Sequence, residues 1–153
     1  MHVMTKYIDT YKAAIAALED YGAMQQIIDT TDQNIKDTYN ALTNVSSARL
    51  DGMPHAPNPR AGEDRIAATL DKVDAYRARY AQAREYMDWF LPAWAALSED
   101  DRWVLDTFFL AADNVSQEDR VTAIADKFYV ERPTAYRKKN RAVTRLATAL
   151  YGY

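Results

Sequence analysis

The chain has 153 residues, of which 48% are hydrophobic and 27% are charged, and its formal net charge is −3. This composition is typical of a globular protein with a buried core, and it excludes an intrinsically disordered chain. The sequence contains no cysteine, which excludes a disulfide framework, a thiolate nucleophile and a cysteine-ligated metal site.

The N-terminal residues, MHVMTKYIDTYK, lack the apolar segment of a secretory signal peptide. No window of the sequence approaches the roughly 18 uncharged apolar residues of a membrane-spanning helix. We therefore expect a cytoplasmic protein that does not contact a membrane.

Two long segments with helical periodicity flank a proline-rich stretch, residues 46–62, which holds three of the five prolines. In both segments apolar residues recur at steps of three, four and seven, as on one face of a helix. We expect residues 4–97 to form a long self-associating hairpin with a linker at 46–62, or the arms of a dimeric coiled coil. Gly22, Thr31 and Thr38 interrupt the first apolar stripe, which favours a local bundle. Pro92 is expected to kink or end the second helix near Phe90.

A second domain is predicted over residues 98–153, beginning with Ser98 as a helix N-cap followed by three acids. Residues 111–116 are expected to connect this helix to a short one over 121–128, with Ser116 or Asp119 as its cap. A tight turn at 129–132 follows, and Pro133 suits the first position of the last helix. No segment has the period-two pattern of a strand, so the sequence predicts an all-α fold.

Positive charge is concentrated in the last 23 residues, Glu131–Tyr153, which contain six basic residues and one acid and therefore carry +5. Because the whole chain carries −3, the other 130 residues sum to −8. Interspersed charge would serve solubility equally well. A cationic helix on an acidic body instead favours a polyanionic partner, because lysine and arginine that neutralise phosphates release condensed counterions.

Residues 121–146 fit a helix-turn-helix, in which the second helix enters the major groove of DNA. Ala135, Ala142, Val143, Leu146 and Leu150 keep helical spacing on the face expected to pack inward. Tyr136 is compatible with stacking on the sugar-phosphate backbone or with packing on the preceding helix. The alternative, without any binding role, is that the run of basic residues is a solvated helix face. The predicted DNA-binding residues are Arg132, Thr134, Tyr136, Arg137, Lys138, Lys139, Arg141 and Arg145.

Residues 97–151 resemble the sigma-factor region-4-like helix-turn-helix found in small phage regulators of late transcription, the ArpU/RinA-like proteins. The resemblance covers about a third of the chain and is carried by LSEDDRWVL (97–105), AIA (123–125) followed by VERPTAYR (130–137), and RAVTRL (141–146). It implies a sequence-specific DNA-binding protein that regulates a promoter. By position it assigns base contacts to Arg132, Thr134, Arg137 and Lys138, and phosphate contacts to Lys139 and Arg141.

Two other functions are compatible with this layout: a small-terminase-like phage packaging protein, and a module that docks on RNA polymerase without touching DNA. For the preferred DNA-binding function a homodimer is expected, because paired half-sites multiply the modest affinity of one recognition helix. Nothing in the sequence supports an enzyme, a cofactor or a metal site, since both histidines, His2 and His55, fall at a terminus and in the linker. Trp89, Trp94 and Trp103 are expected to lie in a core.

Overall fold

The computed structural model describes residues 6–48 and 60–152, and these residues form helices with no strand among them. The predicted all-α fold is therefore confirmed. His2, His55 and most of the predicted linker lie outside the described residues. The helices are α1 (Thr10–Ala48), α2 (Ala61–Ala96), α3 (Glu99–Phe109), α4 (Gln117–Phe128) and α5 (Arg132–Tyr151).

The helices divide between two compact units. One consists of Met1–Ala23 and Tyr86–Tyr153, and the other of Met24–Glu85. We call the first the helix-turn-helix unit, because it contains α3, α4 and α5, and the second the hairpin unit. The helix-turn-helix unit is therefore larger than the segment 98–153 predicted from the sequence, because it also includes the first turns of α1 and the last turns of α2.

The hairpin unit buries few of its side chains. Among its described residues only Val73, Ala83 and Thr31 are buried. Thr31 is tolerated inside the helix because its hydroxyl donates a hydrogen bond to the carbonyl of Ile27, one turn earlier. An open cavity of about 300 Å³ separates the two helix segments and is lined by Thr38, Ala41, Leu42, Arg65, Ala68, Thr69 and Lys72.

The helix-turn-helix unit has a continuous apolar core to which all five helices contribute. Its largest fully buried side chains are Phe90, Leu18, Leu105, Ile124 and Leu146. The ring of Phe90 stacks on Tyr86 with 5.3 Å between the ring centroids. The hydroxyl of Tyr86 donates a hydrogen bond to the carbonyl of Ala17, so α1 and α2 are linked by a polar contact as well as by packing.

Pro92 lies inside α2, which continues to Ala96. Of the two outcomes expected at Pro92, a kink or an end of the helix near Phe90, the end is therefore wrong. A proline removes only one backbone donor and crowds the carbonyl four residues earlier. The turns around Pro92 bury Phe90, Ala93 and Leu97 in the core, and this burial offsets the lost hydrogen bond.

The tryptophans lie where the core meets the surface. Trp94 and Trp103 are half-buried and pack against the core, as predicted. Trp103 meets Phe128 edge to face at 5.8 Å. Trp89 is 40% exposed and lies 5.7 Å from the ring of Tyr151, so it covers the end of α5 from outside.

Serine side chains begin α3 and α4. Ser98 accepts a hydrogen bond from the backbone N–H of Asp101, and Ser116 accepts one from that of Asp119. Ser98 was predicted to cap its helix, and Ser116 was one of two candidates for the cap of α4. These caps fix the residue at which each of the two helices starts.

Arg120 holds the connection between α3 and α4. Its guanidinium group donates hydrogen bonds to the carbonyls of Phe108, Ala112 and Val115, at 2.8, 3.2 and 3.1 Å. One side chain thus satisfies the last turn of α3 and two carbonyls of the connection. The orientation of α4 relative to α3 is set by this fork of donors.

Candidate nucleic-acid interface

Helices α4 and α5 are joined by a three-residue turn, and α3 packs against both. Tyr129 adopts the left-handed conformation (φ 53°, ψ 46°) that ends α4. The N–H of Val130 then donates to the carbonyl of Ala125 at 3.0 Å, which is the six-to-one bond of a Schellman turn. Helix α5 begins at Arg132, one residue earlier than predicted, and has Pro133 in its first turn. Two contacting helices joined by such a short turn match the order of elements in a helix-turn-helix.

The inward face of α5 carries mainly small side chains. Ala135, Ala142, Val143, Leu146 and Ala147 are buried. The first four of these residues were predicted to face inward, and that prediction is confirmed. The fifth predicted residue, Leu150, is half-buried and packs against the core. Small residues at this face let α5 approach α3 and α4 closely, so its opposite face stands away from the unit.

The opposite face of α5 is exposed along its length. Arg137, Arg141, Thr144 and Thr148 are all exposed and follow one another at steps of four, three and four residues, so they share one face of the helix. We call these four residues the outward stripe. Arg132 is also exposed, at the first position of the helix. None of the three arginines forms an ion pair with any residue in the ranges 6–48 and 60–152.

Two of the predicted lysines lie over aromatic rings. The ammonium nitrogen of Lys138 is 4.5 Å from the ring centroid of Phe128, and that of Lys139 is 4.8 Å from that of Phe108. Such cation–π contacts hold a lysine against the edge of the core. Burial lowers the pKa of Lys139. With about 100° between successive residues, Lys139 lies roughly 200° around the helix from Arg137, and so does not share the outward stripe.

Arg145 is bound within the protein. Its guanidinium Nη1 donates to both carboxylate oxygens of Asp101, at 2.9 and 2.7 Å. Asp101 is only 8% exposed, so the pair joins the first turn of α3 to the middle of α5. The structure therefore gives this predicted DNA ligand a structural partner.

The two remaining predicted residues lie between the faces. Thr134 is half-buried, and Tyr136 is half-buried against the core, which matches the packing alternative for its ring. Tyr129 was not predicted as a ligand, yet it is 95% exposed beside the start of α5. The sequence contains no sign of it, because a turn that ends a helix in this way usually has glycine at the position where this chain has tyrosine.

The described residues contain no group of three or more histidine or acidic side chains arranged to hold a metal ion. No helix among them combines the length and the apolar character needed to cross a membrane.

Comparison with known proteins adds no relative: no family model, no curated protein and no solved structure matches this chain.

Proposed function

We propose that this protein is a sequence-specific duplex-DNA-binding regulator of transcription whose helix α5 enters the major groove. The observation that supports it best is the outward stripe. Arg137 and Arg141 stand exposed on one face of a helix that a compact unit holds from behind, and neither is paired with a carboxylate among the described residues. A solvated face would serve equally well with its cations neutralised by neighbouring acids, as Arg145 is.

The position of each cation suggests its role. Arg137 lies in the second turn of α5, and residues near the N-terminal end of a recognition helix meet base edges. Its guanidinium can donate two parallel hydrogen bonds to O6 and N7 of guanine. Arg141 lies one turn further along the same stripe, where the groove wall presents phosphates. Arg132 stands exposed at the first position of α5 and contacts the DNA where the helix enters the groove.

The charge distribution around α5 fits a polyanionic partner. All six charged residues of the helix are basic, namely Arg132, Arg137, Lys138, Lys139, Arg141 and Arg145. Arg132 and Arg141 are the exposed arginines of α5 without an ion pair among the described residues that are not assigned to a base. Counting these two as phosphate-neutralising groups, the logarithm of the affinity should fall with the logarithm of the salt concentration with a slope of about −2 per protomer.

The hairpin unit supports self-association as part of the same proposal. It leaves Ile66 and Leu70 about half exposed, at 51% and 49%, while few residues of the unit are buried. Two helices alone cover only part of their apolar stripes, and packing against a second pair completes a four-helix bundle. A dimer formed in this way would present two copies of α5 to paired half-sites.

Selection of bound duplexes from a random pool tests the proposal directly. We expect enrichment of a palindrome with half-sites about one helical turn apart. Loss of duplex binding on raising the salt concentration should accompany it. If the protein retains no duplex at low salt, the proposal that it binds DNA is wrong.

Variants of the outward stripe then separate base reading from phosphate contact. Arg137→Ala should cost about 1–3 kcal/mol on the selected site and much less on random duplex. Arg141→Ala should weaken both to a similar degree. Thr148→Ala, on the same face but at the C-terminal end of α5, is the matched control and should change neither. Equal losses on both duplexes for Arg137→Ala would remove it from base reading, and transcription from a template with the selected site would then test regulation.

A further inference from the structure

Tyr129 combines two unfavourable properties. It is the one non-glycine residue with positive φ among the described residues, and its side chain is the most exposed large hydrophobic one among them, at 95%. The left-handed conformation costs an L-residue about 1–2 kcal/mol relative to the right-handed one. Glycine would avoid that cost, and the ring contributes nothing to the core.

The turn holds Tyr129 rigidly beside the start of α5. Val130, the next residue, is half-buried against the core and donates its N–H to Ala125. Two residues later Arg132 begins the helix. The backbone on both sides is therefore fixed by packing and hydrogen bonds, and the exposed ring projects from a fixed point three residues before α5 begins.

We propose that Tyr129 is a DNA contact, with its phenol O–H donating a hydrogen bond to a backbone phosphate at the edge of the groove that α5 enters. This inference rests on the proposed function. Tyrosine is one of the side chains that donate to DNA phosphates, and such contacts fix the register of a protein on the duplex without reading sequence. The turn supplies the rigid placement that a phosphate contact needs, and glycine at this position could not make the contact.

Two substitutions at Tyr129 test the proposal, and the first should change stability and DNA affinity in opposite directions. Tyr129→Gly should raise the midpoint temperature of unfolding, because it relieves the left-handed backbone. The same variant should weaken duplex binding about tenfold, since a hydrogen bond to a charged group is worth about that factor or more. Tyr129→Phe, which removes only the hydroxyl, should bind about tenfold more weakly at unchanged stability.

Both losses should be equal on the selected site and on random duplex, because a phosphate contact carries no sequence information. Tyr7→Phe is the matched control, since Tyr7 is 77% exposed in the same unit but outside α3, α4 and α5. It should leave affinity unchanged. If the wild-type protein binds duplex and Tyr129→Phe binds equally well, the inference is wrong while the proposed function stands. If the wild-type protein binds no duplex, the proposed function itself fails.

Discussion

The two compact units differ in how completely they bury their apolar residues. The helix-turn-helix unit joins residues from all five helices into one core, in which Leu18, Leu105, Ile124 and Leu146 are fully buried. The hairpin unit has longer helical segments, yet Val73 is its only large buried apolar side chain among the described residues. Helix length alone therefore does not produce a core. Segments of five helices packed around one centre enclose more apolar surface than two segments packed against each other.

This difference fits the separate tasks that we propose for the units. The helix-turn-helix unit has the packing to hold α5 in place on its own, which the proposed DNA-reading helix requires. The hairpin unit leaves apolar surface such as Ile66 and Leu70 half exposed, and the proposed dimer would cover it. Variants matched between the units show whether this comparison is correct.

The largest effect is expected for removal of a core leucine. Leu146→Ala, at a residue with no exposed surface, should lower the free energy of unfolding by about 2–5 kcal/mol through lost burial and a residual cavity. The matched change in the hairpin unit is Leu70→Ala, at a residue 49% exposed in a single chain, and in the monomer it should cost less than about 1 kcal/mol. Urea denaturation measures both. Similar costs would mean that the hairpin unit is as tightly packed in solution as its counterpart.

A smaller loss is expected for Arg120, which holds the connection between α3 and α4 in the helix-turn-helix unit. Arg120→Ala leaves three backbone carbonyls without their donor and should cost about 1.5–3 kcal/mol. Arg120→Lys should recover little, because an ammonium group cannot reproduce the planar fork that reaches carbonyls in three directions. Full recovery by lysine would indicate that the charge, rather than the fork, stabilises the connection.

The environment of Tyr86 predicts that the stability of the helix-turn-helix unit depends on pH. Burial, with a further contribution from nearby Asp20, raises the pKa of Tyr86 above its usual value of 10.0. The folded state therefore favours the neutral phenol. Its contribution to stability is complete below pH 10.0, the pKa in the unfolded chain, and is lost as the pH rises further toward the folded-state pKa.

Tyr86→Phe tests this origin. At neutral pH the variant should lose about 1 kcal/mol with the hydrogen bond to Ala17. Above pH 10.0 its free energy of unfolding should fall less steeply than that of the wild-type protein. Tyr11 and Tyr151, whose pKa values burial also raises, should retain part of the slope. Identical slopes in the two proteins would exclude Tyr86 as its source.

Local rules predicted much of the fold. The cap at Ser98, the helical periodicity and the inward face of α5 all follow from neighbours within one or two turns of the chain, so the sequence was sufficient for them. For α4 the sequence left Ser116 and Asp119 as candidate caps, and the structure shows that Ser116 is the cap. The helix does not end at Pro92, because the burial of Phe90 and Leu97 depends on helices distant in sequence. Whether a proline ends a helix is decided by tertiary packing, which local preference does not contain.

The candidate site was predictable in charge but not in orientation. The sequence places six basic residues in α5, yet only the fold reveals that Arg145 meets Asp101, 44 residues earlier, and that Lys139 covers Phe108. Such pairings depend on contacts across the chain. Tyr129 was missed because its left-handed backbone becomes known only once α4 and α5 are placed.

The smallest effect concerns the two described glycines inside helices, one in each unit. Gly22 lies within α1 at the edge of the helix-turn-helix unit, and Gly62 lies in the first turn of α2 in the hairpin unit. A Cβ atom at either position would meet nothing within 4 Å, so alanine fits both without strain.

Gly22→Ala should therefore stabilise the protein by about 0.5–1 kcal/mol, because glycine in a helix interior loses more backbone entropy on folding. Gly62→Ala should gain less, since a first turn can fray without unfolding the rest. Thermal denaturation of the two variants compares them directly. An equal gain at Gly62 would show that the start of α2 is as firmly ordered as the middle of α1, and would remove one reason for regarding the hairpin unit as the looser of the two.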